Sequence, residues 1–387
     1  MKRINSIDIV RGMVLVIMAL DHVRELLHTT ALTQTPTDLT TATAPVFFTR
    51  WITHLCAPIF VFLAGVSAYL SYQRSTDKSS SRNFLWKRGL WLIILEFTII
   101  NFLLWFDVQF RLLLLEVIAA IGVGFIVLSL LARVTPWKVG LLGFIFLAFN
   151  ELTLRIPAQE NAGLNFLISV LTRPGLHTVT PDFLILVAYP LIPWVGIILL
   201  GFATGKLFEQ PLEWQSKQFL RIAAALLLFF VIIRSVNAYG DPSHWQAGDS
   251  FLYTVMSFLN VSKQPPSLAF VSLFLGLMFL ALFLSDKVPA IVQRVLNVYG
   301  KVPMFYYLFH WCLVRAAITI MLFAQGFAWR DFNFAPFKFG RPDGESGISL
   351  PAIYAVWILV VIILYPFCKW YGRYKMQHPE KRWLRYL

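Results

Sequence analysis

Charge is scarce in this chain. Asp, Glu, Lys and Arg make up 14% of its 387 residues, where a soluble domain carries about a quarter. Hydrophobic residues supply 58%. That balance excludes an ordinary water-soluble domain and predicts a polytopic membrane protein. Cysteine is scarce too. Cys56, Cys312 and Cys368 each fall inside an apolar run, which argues against a disulfide framework or a thiolate metal site. His and Cys spacing offers no metal site either, so no metal is expected. There is no Walker loop, no HExxH, no Rossmann glycine fingerprint and no nucleophile elbow. No internal repeat, low-complexity tract or soluble domain stands out. The first apolar run lacks a small-residue cleavage site and carries charge, so it reads as a retained helix. The net charge of +13 does not point to nucleic acid, because most Lys and Arg lie in short loops where they set topology.

What is present is a series of apolar runs. Length and apolarity predict an all-α bundle of about ten spans, near 6–28, 47–72, 84–106, 112–132, 139–154, 183–208, 219–236, 267–285, 302–323 and 350–369. The basic residues segregate. Lys2 and Arg3 precede the first run; Arg74, Lys78, Arg82, Lys87 and Arg88 follow the second. Arg133 and Lys138, Lys206 and Lys217, and Lys287, Arg294 and Lys301 continue the series. Ten spans put all of these on one side with the C-terminal Lys and Arg, and that side is the cytoplasm. Both termini are then cytoplasmic. The whole of 1–387 reads as one domain, with 370–387 as a basic, aromatic tail at the membrane surface. The longer loops, 29–46, 155–182, 237–266 and 324–349, face the other side, where acceptor recognition is expected.

The first span is unusual. SIDIVRGMVLVIMALDHVRELLH holds Asp8, Arg11, Asp21, His22 and Glu25. An Arg or Asp at the centre of a spanning helix costs about 2.5–3.5 kcal/mol, and such residues normally face a protein interior or a wet cavity. Arg11 and His22 share a helix face about 16 Å apart along the axis, with Asp8 and Glu25 flanking that stripe. In the second span Arg50 and His54 share a face near the outer end, at a depth where His54 could meet His22. Gly65, Ser67 and Ala68 form a small-residue patch suited to close helix approach. Glu96, Asn101 and Glu116 are intramembrane polar groups that a partner Arg could satisfy. Lys263, in SKQPPSLAF, could bind an anionic acceptor or lie among headgroups. Tyr306 and His310 are one turn apart in KVPMFYYLFHWCLVRA and could hydrogen-bond to one site. For each of these the bland alternative is a satisfied packing residue.

SIDIVRGMVLVIMALDH is similar to the first span of transmembrane acyltransferases, which include the acyltransferase-3 family and the relatives of heparan-alpha-glucosaminide N-acetyltransferase. The acyltransferase-3 pattern of Arg, ten residues, His is matched by Arg11 and His22. THLCAPIFVFLAGVSAYLS resembles the second-span motif of the heparan-alpha-glucosaminide N-acetyltransferase catalytic domain. YPLIPWVGIILLGFATGKLF and GKVPMFYYLFH look like its bacterial branch. Two features depart from the relatives. Where acyltransferase-3 proteins often carry Arg-x-x-Arg, Arg88 is followed by Trp91. Where the lysosomal enzyme has an acceptor-side His, this chain has no His, with Ala44 nearby.

The resemblance implies transfer of an acyl group, acetyl above all, from cytoplasmic acyl-CoA to an extracytoplasmic sugar or glycan. It places the chain in a bacterial inner membrane, with acetyl-CoA as co-substrate and a homodimer left open. His22 is the expected general base or acyl-accepting nucleophile, with Glu25, His54 or Arg50 orienting it. Arg11, with Arg82, Lys87 and Arg88, is expected to hold the anionic coenzyme. Arg50, Lys263, Tyr306 and His310 are candidate acceptor contacts. The rival reading is a transporter or flippase that uses the charged helix as a path, for which inverted repeats would speak. Reporter fusions test the topology. Fusions after Arg82 and Lys217 should read cytoplasmic, and those near His177 and His244 external; an external signal after Lys217 would overturn the span order between them.

Overall fold

A computed structural model describes residues 4–386. Lys2 and Arg3, expected on the cytoplasmic side, lie outside the described residues. The chain is mostly helical. Each expected span coincides with helix in whole or part. Six helices among the described residues are long and apolar enough to cross a bilayer: Ala44–Arg74, Lys78–Trp105, Leu191–Glu209, Leu212–Val236, Pro303–Ala324 and Leu350–Gln377. The other expected spans fall short of that description for identifiable reasons. The helix Asn5–Leu27 has 23 residues, ample length, but six ionisable side chains. Val117–Leu131 and Leu268–Leu284 have 15 and 17 residues. The start of the expected fourth span is a strand, β1 (Leu112–Leu115). The start of the sixth is also a strand, β3 (Phe183–Val187), which pairs with β2 (Gly175–Thr180) in the sheet order β1-β3-β2. Four- to six-residue apolar runs read alike in strand and helix, so periodicity could not separate them. The helix Leu350–Gln377 runs on through the start of the basic stretch from Trp370.

Contacts divide the chain into two compact units. The first unit comprises Met1–Cys56, Ile99–Leu112 and Ser285–Leu387. Its centre is the helix Asn5–Leu27, which packs against Ala44–Thr53, Ala290–Gly300, Pro303–Ala324 and Leu350–Gln377. Val14, Ala19, Val23, Leu26 and Leu27 are wholly buried there. Asp21 anchors one side. It accepts Arg24 Nη2 at 3.2 Å and forms a close ion pair with Arg50 of the second helix. Trp357 Nε1 donates to the Val16 carbonyl at 2.7 Å on another side. The helix ends where His28 turns extended, with ψ 143°. The loop before Leu350–Gln377 is stapled to that end: Ile348 N–H donates to Leu27 O at 2.8 Å, and the buried Arg341 donates to His28 O at 2.8 Å and to Ser346 Oγ at 2.9 Å.

The second unit comprises Ala57–Thr98 and Leu113–Leu284. Leu191–Thr204 packs on Pro136–Ala148 and Val117–Leu131, and Leu212–Val236 on Leu268–Leu284. The small-residue patch of the second span is a packing feature. A Cβ on Gly65 would strike the Ile198 carbonyl, and one on Gly201 the Phe62 carbonyl. Glu96 is buried, and its carboxyl group accepts Ala119 N–H at 3.1 Å. It thus answers an orphan donor at the start of the helix Val117–Leu131.

In the first unit, Gly12 and Gly300 allow the helices Asn5–Leu27 and Ala290–Gly300 to touch backbone to backbone. A Cβ on Gly12 would overlap the Leu296 carbonyl, and one on Gly300 the Asp8 carbonyl. Overpacking costs about 1–3 kcal/mol, and here backbone rather than a flexible side chain must yield. Gly12→Val and Gly300→Val should lower the thermal midpoint in detergent by several degrees, while Gly344→Val, in open space, should leave it unchanged. Equal midpoints for all three would refute the packing role.

Candidate active site

The opposite face of the central helix carries the candidate chemistry. His22 lies one position after Asp21, about 100° round the helix. Asp21 therefore faces Arg50, while His22 faces the helix Pro303–Ala324. His22 Nδ1 lies 2.6 Å from His310 Nε2, a hydrogen bond between residues 288 apart in sequence. Trp311 stacks on the His22 ring at 4.2 Å between centroids, with 17° between planes. Tyr307 meets the same ring edge-on at 6.4 Å. His22 is half-buried and His310 fully buried, so one ring is accessible and its partner is sealed.

Around His310 the polar atoms are sparse. His310 Nδ1, Tyr306 Oη and Trp311 Nε1 are buried without hydrogen-bond partners. Tyr306, one turn before His310, stacks on its ring at 5.9 Å and meets Tyr299 edge-to-face at 5.3 Å. Arg315, one turn beyond Trp311, is occupied structurally, donating to the carbonyls of Leu103 at 2.6 Å and Phe339 at 2.7 Å.

The other candidates have their own surroundings. Glu25, expected to orient His22, is half-buried and has no hydrogen bond or ion pair among the described residues. Arg50, expected as orienting or acceptor group, is engaged by Asp21. His54 is buried at the end of the helix Ala44–Thr53. His310 is a neighbour that the structure supplies for His22. Arg11 lies 3.7 Å from Asp8, one turn away, and keeps partial exposure. In the second unit, Arg82 Nε donates to Ser129 O at 2.7 Å, the Arg88 guanidinium lies over Phe125 at 5.4 Å, and Lys87 is exposed. Lys263 Nζ sits over the Tyr189 ring at 5.6 Å. Trp311 and Tyr307 escaped the sequence reading; their signal was the aromatic run around His310.

Two rings joined this way hold one proton between them. In the arrangement that suits catalysis, His22 Nδ1–H donates to His310 Nε2, and His22 Nε2 keeps its lone pair for an acceptor. Either ring can be the donor across this contact, and the sealed ring holds the accessible one in place.

At the mouth of this helix, just past its last helical residue, Leu27, His28 differs. Burial, then the guanidinium groups of Arg24 and Arg341, hold its pKa below the usual imidazole range, so it is neutral near pH 7. Its Nδ1 accepts Thr30 N–H at 3.3 Å and contacts Thr30 Oγ1 at 2.9 Å. A backbone N–H can only donate, so the His28 proton sits on Nε2.

The sequence model of the family described as heparan-alpha-glucosaminide N-acetyltransferase, catalytic, matches residues 3–238. No curated protein matches the chain. The matched region is more than half of the chain and includes the helix with Arg11 and His22, together with the FVFLAG segment. This chain, a helical protein with six helices of membrane-crossing character, therefore belongs to the heparan-alpha-glucosaminide N-acetyltransferase catalytic-domain family, whose activity is membrane acetyl transfer.

Proposed function

We propose that the protein moves an acyl group, acetyl by the chemistry of its family, from cytoplasmic acyl-CoA to an extracytoplasmic sugar or glycan acceptor in a bacterial inner membrane. The observation that carries this reading is the His22–His310 hydrogen bond, on a helix whose Arg11 lies about 16 Å nearer the other end. Arg11 would hold an anionic part of the coenzyme, and the pantetheine arm would span the helix towards His22. In the second unit, Arg82, Lys87 and Arg88 have the proposed role of binding nucleotide phosphates.

The step balances simply. His22 Nε2 takes the proton from an acceptor O–H or N–H. The acceptor atom bonds to the thioester carbonyl carbon. The tetrahedral intermediate collapses, the C–S bond breaks, and the thiolate leaves and takes the proton from the His22 imidazolium. His310 holds the His22 ring in place. A buried site helps, because imidazole is a base that need not carry charge before reaction.

Radiolabelled acetyl-CoA tests the reading directly. His22→Gln should cut label transfer by about 10²–10⁴-fold, the usual worth of a general base, with coenzyme binding retained. His310→Gln, whose amide oxygen can still accept from His22 Nδ1, should keep more turnover than His310→Phe, which cannot. Near-normal turnover in His22→Gln would overturn the assignment.

A separate measurement addresses the coenzyme side. Arg11→Ala should weaken acyl-CoA binding more than acceptor binding, and Arg11→Lys should restore part of it, since the guanidinium fork is lost. Unchanged coenzyme affinity in well-folded Arg11→Ala protein would remove that role.

A further inference from the structure

The last long helix of the first unit, Leu350–Gln377, has 28 residues, and only 17% of its apolar stretch is buried. No Asp or Glu occurs from Leu350 to Pro379. The uncharged run from Leu350 to Cys368 is about 28 Å long at about 1.5 Å per residue. That is close to the hydrocarbon core of a bilayer, about 30 Å. The first charge, Lys369, therefore arrives where hydrocarbon gives way to headgroups, and the last two turns reach into that polar layer.

This end of the helix has two unlike faces. Leu364, Cys368 and Tyr371 are buried, and Tyr371 stacks on Phe305 of the helix Pro303–Ala324 at 4.3 Å. On the outward side Lys369 and Arg373 are exposed. They are four residues apart and share one edge of the helix. Lys369 Nζ lies over the Tyr365 ring at 5.9 Å, and neither cation is paired with a carboxylate among the described residues. Phe367 and Trp370, 52% and 60% exposed, present the neighbouring edge. Trp370 stacks on Tyr374 at 5.9 Å, and Tyr374 meets His378 at 4.2 Å. Lys381 folds back and donates to Tyr374 Oη at 2.6 Å, so the aromatic edge is braced at its far end.

We propose that this outward face seats an anionic phospholipid, with its phosphate on Lys369 and Arg373 and its glycerol backbone and first acyl carbons along Trp370 and Phe367. Charge selects the occupant. Two cations at headgroup depth, without a carboxylate between them, attract a lipid of net negative charge. A zwitterionic lipid brings an ammonium of its own, which they repel. The Arg373 guanidinium can give two parallel donors to phosphate oxygens. The indole of Trp370 suits the boundary, with an apolar body and a polar N–H. Phospholipid binding here is independent of acyl transfer.

Native mass spectrometry of the full chain in a neutral detergent tests this, with dioleoyl phosphatidylglycerol and dioleoyl phosphatidylcholine added in equal amounts. The anionic lipid should be retained several-fold over the zwitterionic one. Lys369→Gln together with Arg373→Gln should remove that preference, and Trp370→Ala should lower the retention of both lipids. These positions are exposed, so the variants should keep the thermal midpoint of the unsubstituted protein. Lys217→Gln together with Arg294→Gln, an equal charge change at exposed positions elsewhere, should keep the preference. Excess inorganic phosphate should not displace the lipid, because it gains nothing from Trp370 and Phe367. Equal retention of the two lipids would overturn the proposal. So would an unchanged preference in the Lys369 and Arg373 variant, the same loss in the Lys217 and Arg294 variant, full retention in Trp370→Ala, or displacement by phosphate.

Discussion

Satisfying the charge on one central helix is the constraint on which the first unit depends. A bilayer offers nothing to Asp21, Arg24 or His22 of Asn5–Leu27, and each would be costly in hydrocarbon. The protein supplies partners instead. Arg50 comes from the second helix to Asp21, Trp357 from the last helix to the Val16 carbonyl, and His310 from the helix Pro303–Ala324 to His22. Each of those three bonds is also a tether. The helices that surround the centre are thereby held by polar contacts at defined heights as well as by apolar packing. In a membrane, where apolar helices gain little from avoiding lipid, such contacts and close backbone approach do much of the specifying. Gly12 and Gly300 supply the close approach on a further side.

The same constraint separates structure from chemistry on that helix. Asp21 and His22 are sequence neighbours but face different partners, because one step along a helix is about 100°. The Asp21 side is a closed ion network, with both guanidinium groups engaged. The His22 side is neutral, aromatic and half open. The division sets the imidazole among rings while the ion network holds the helix in place. His310 meets His22 ring to ring across that hydrogen bond.

Beyond the end of this helix, polar groups are again arranged by backbone first. Arg341 is buried, yet it binds carbonyl and hydroxyl oxygens, not carboxylates, in its described contacts. It closes the loop over His28 and leaves that ring as a fixed neutral donor. The loops 29–46 and 324–349, which read as long and irregular in sequence, are thus ordered at the helix mouth by a few directed bonds.

Much of the architecture was legible in sequence. Apolar runs located the helices, because burial in lipid demands unbroken apolar length. The charges of Asn5–Leu27 marked it as an interior helix, because no lipid-facing helix tolerates them. Arg11 and His22 shared a face by helical arithmetic alone, and Gly65 read as a packing residue from its small neighbours. Sequence could not distinguish β1 and β3 from helix, since short apolar runs fit both. Nor could it pair His22 with His310 across 288 positions; His54 and Glu25 were nearer in sequence and drew the expectation. Contacts between distant segments depend on which helices become neighbours, and that is set by the sum of all packing and polar bonds. The sequence by itself determined a helical membrane chain with an ionisable first helix. Only tertiary structure decided that Asp21 is spent on Arg50 and that His22 meets a second imidazole.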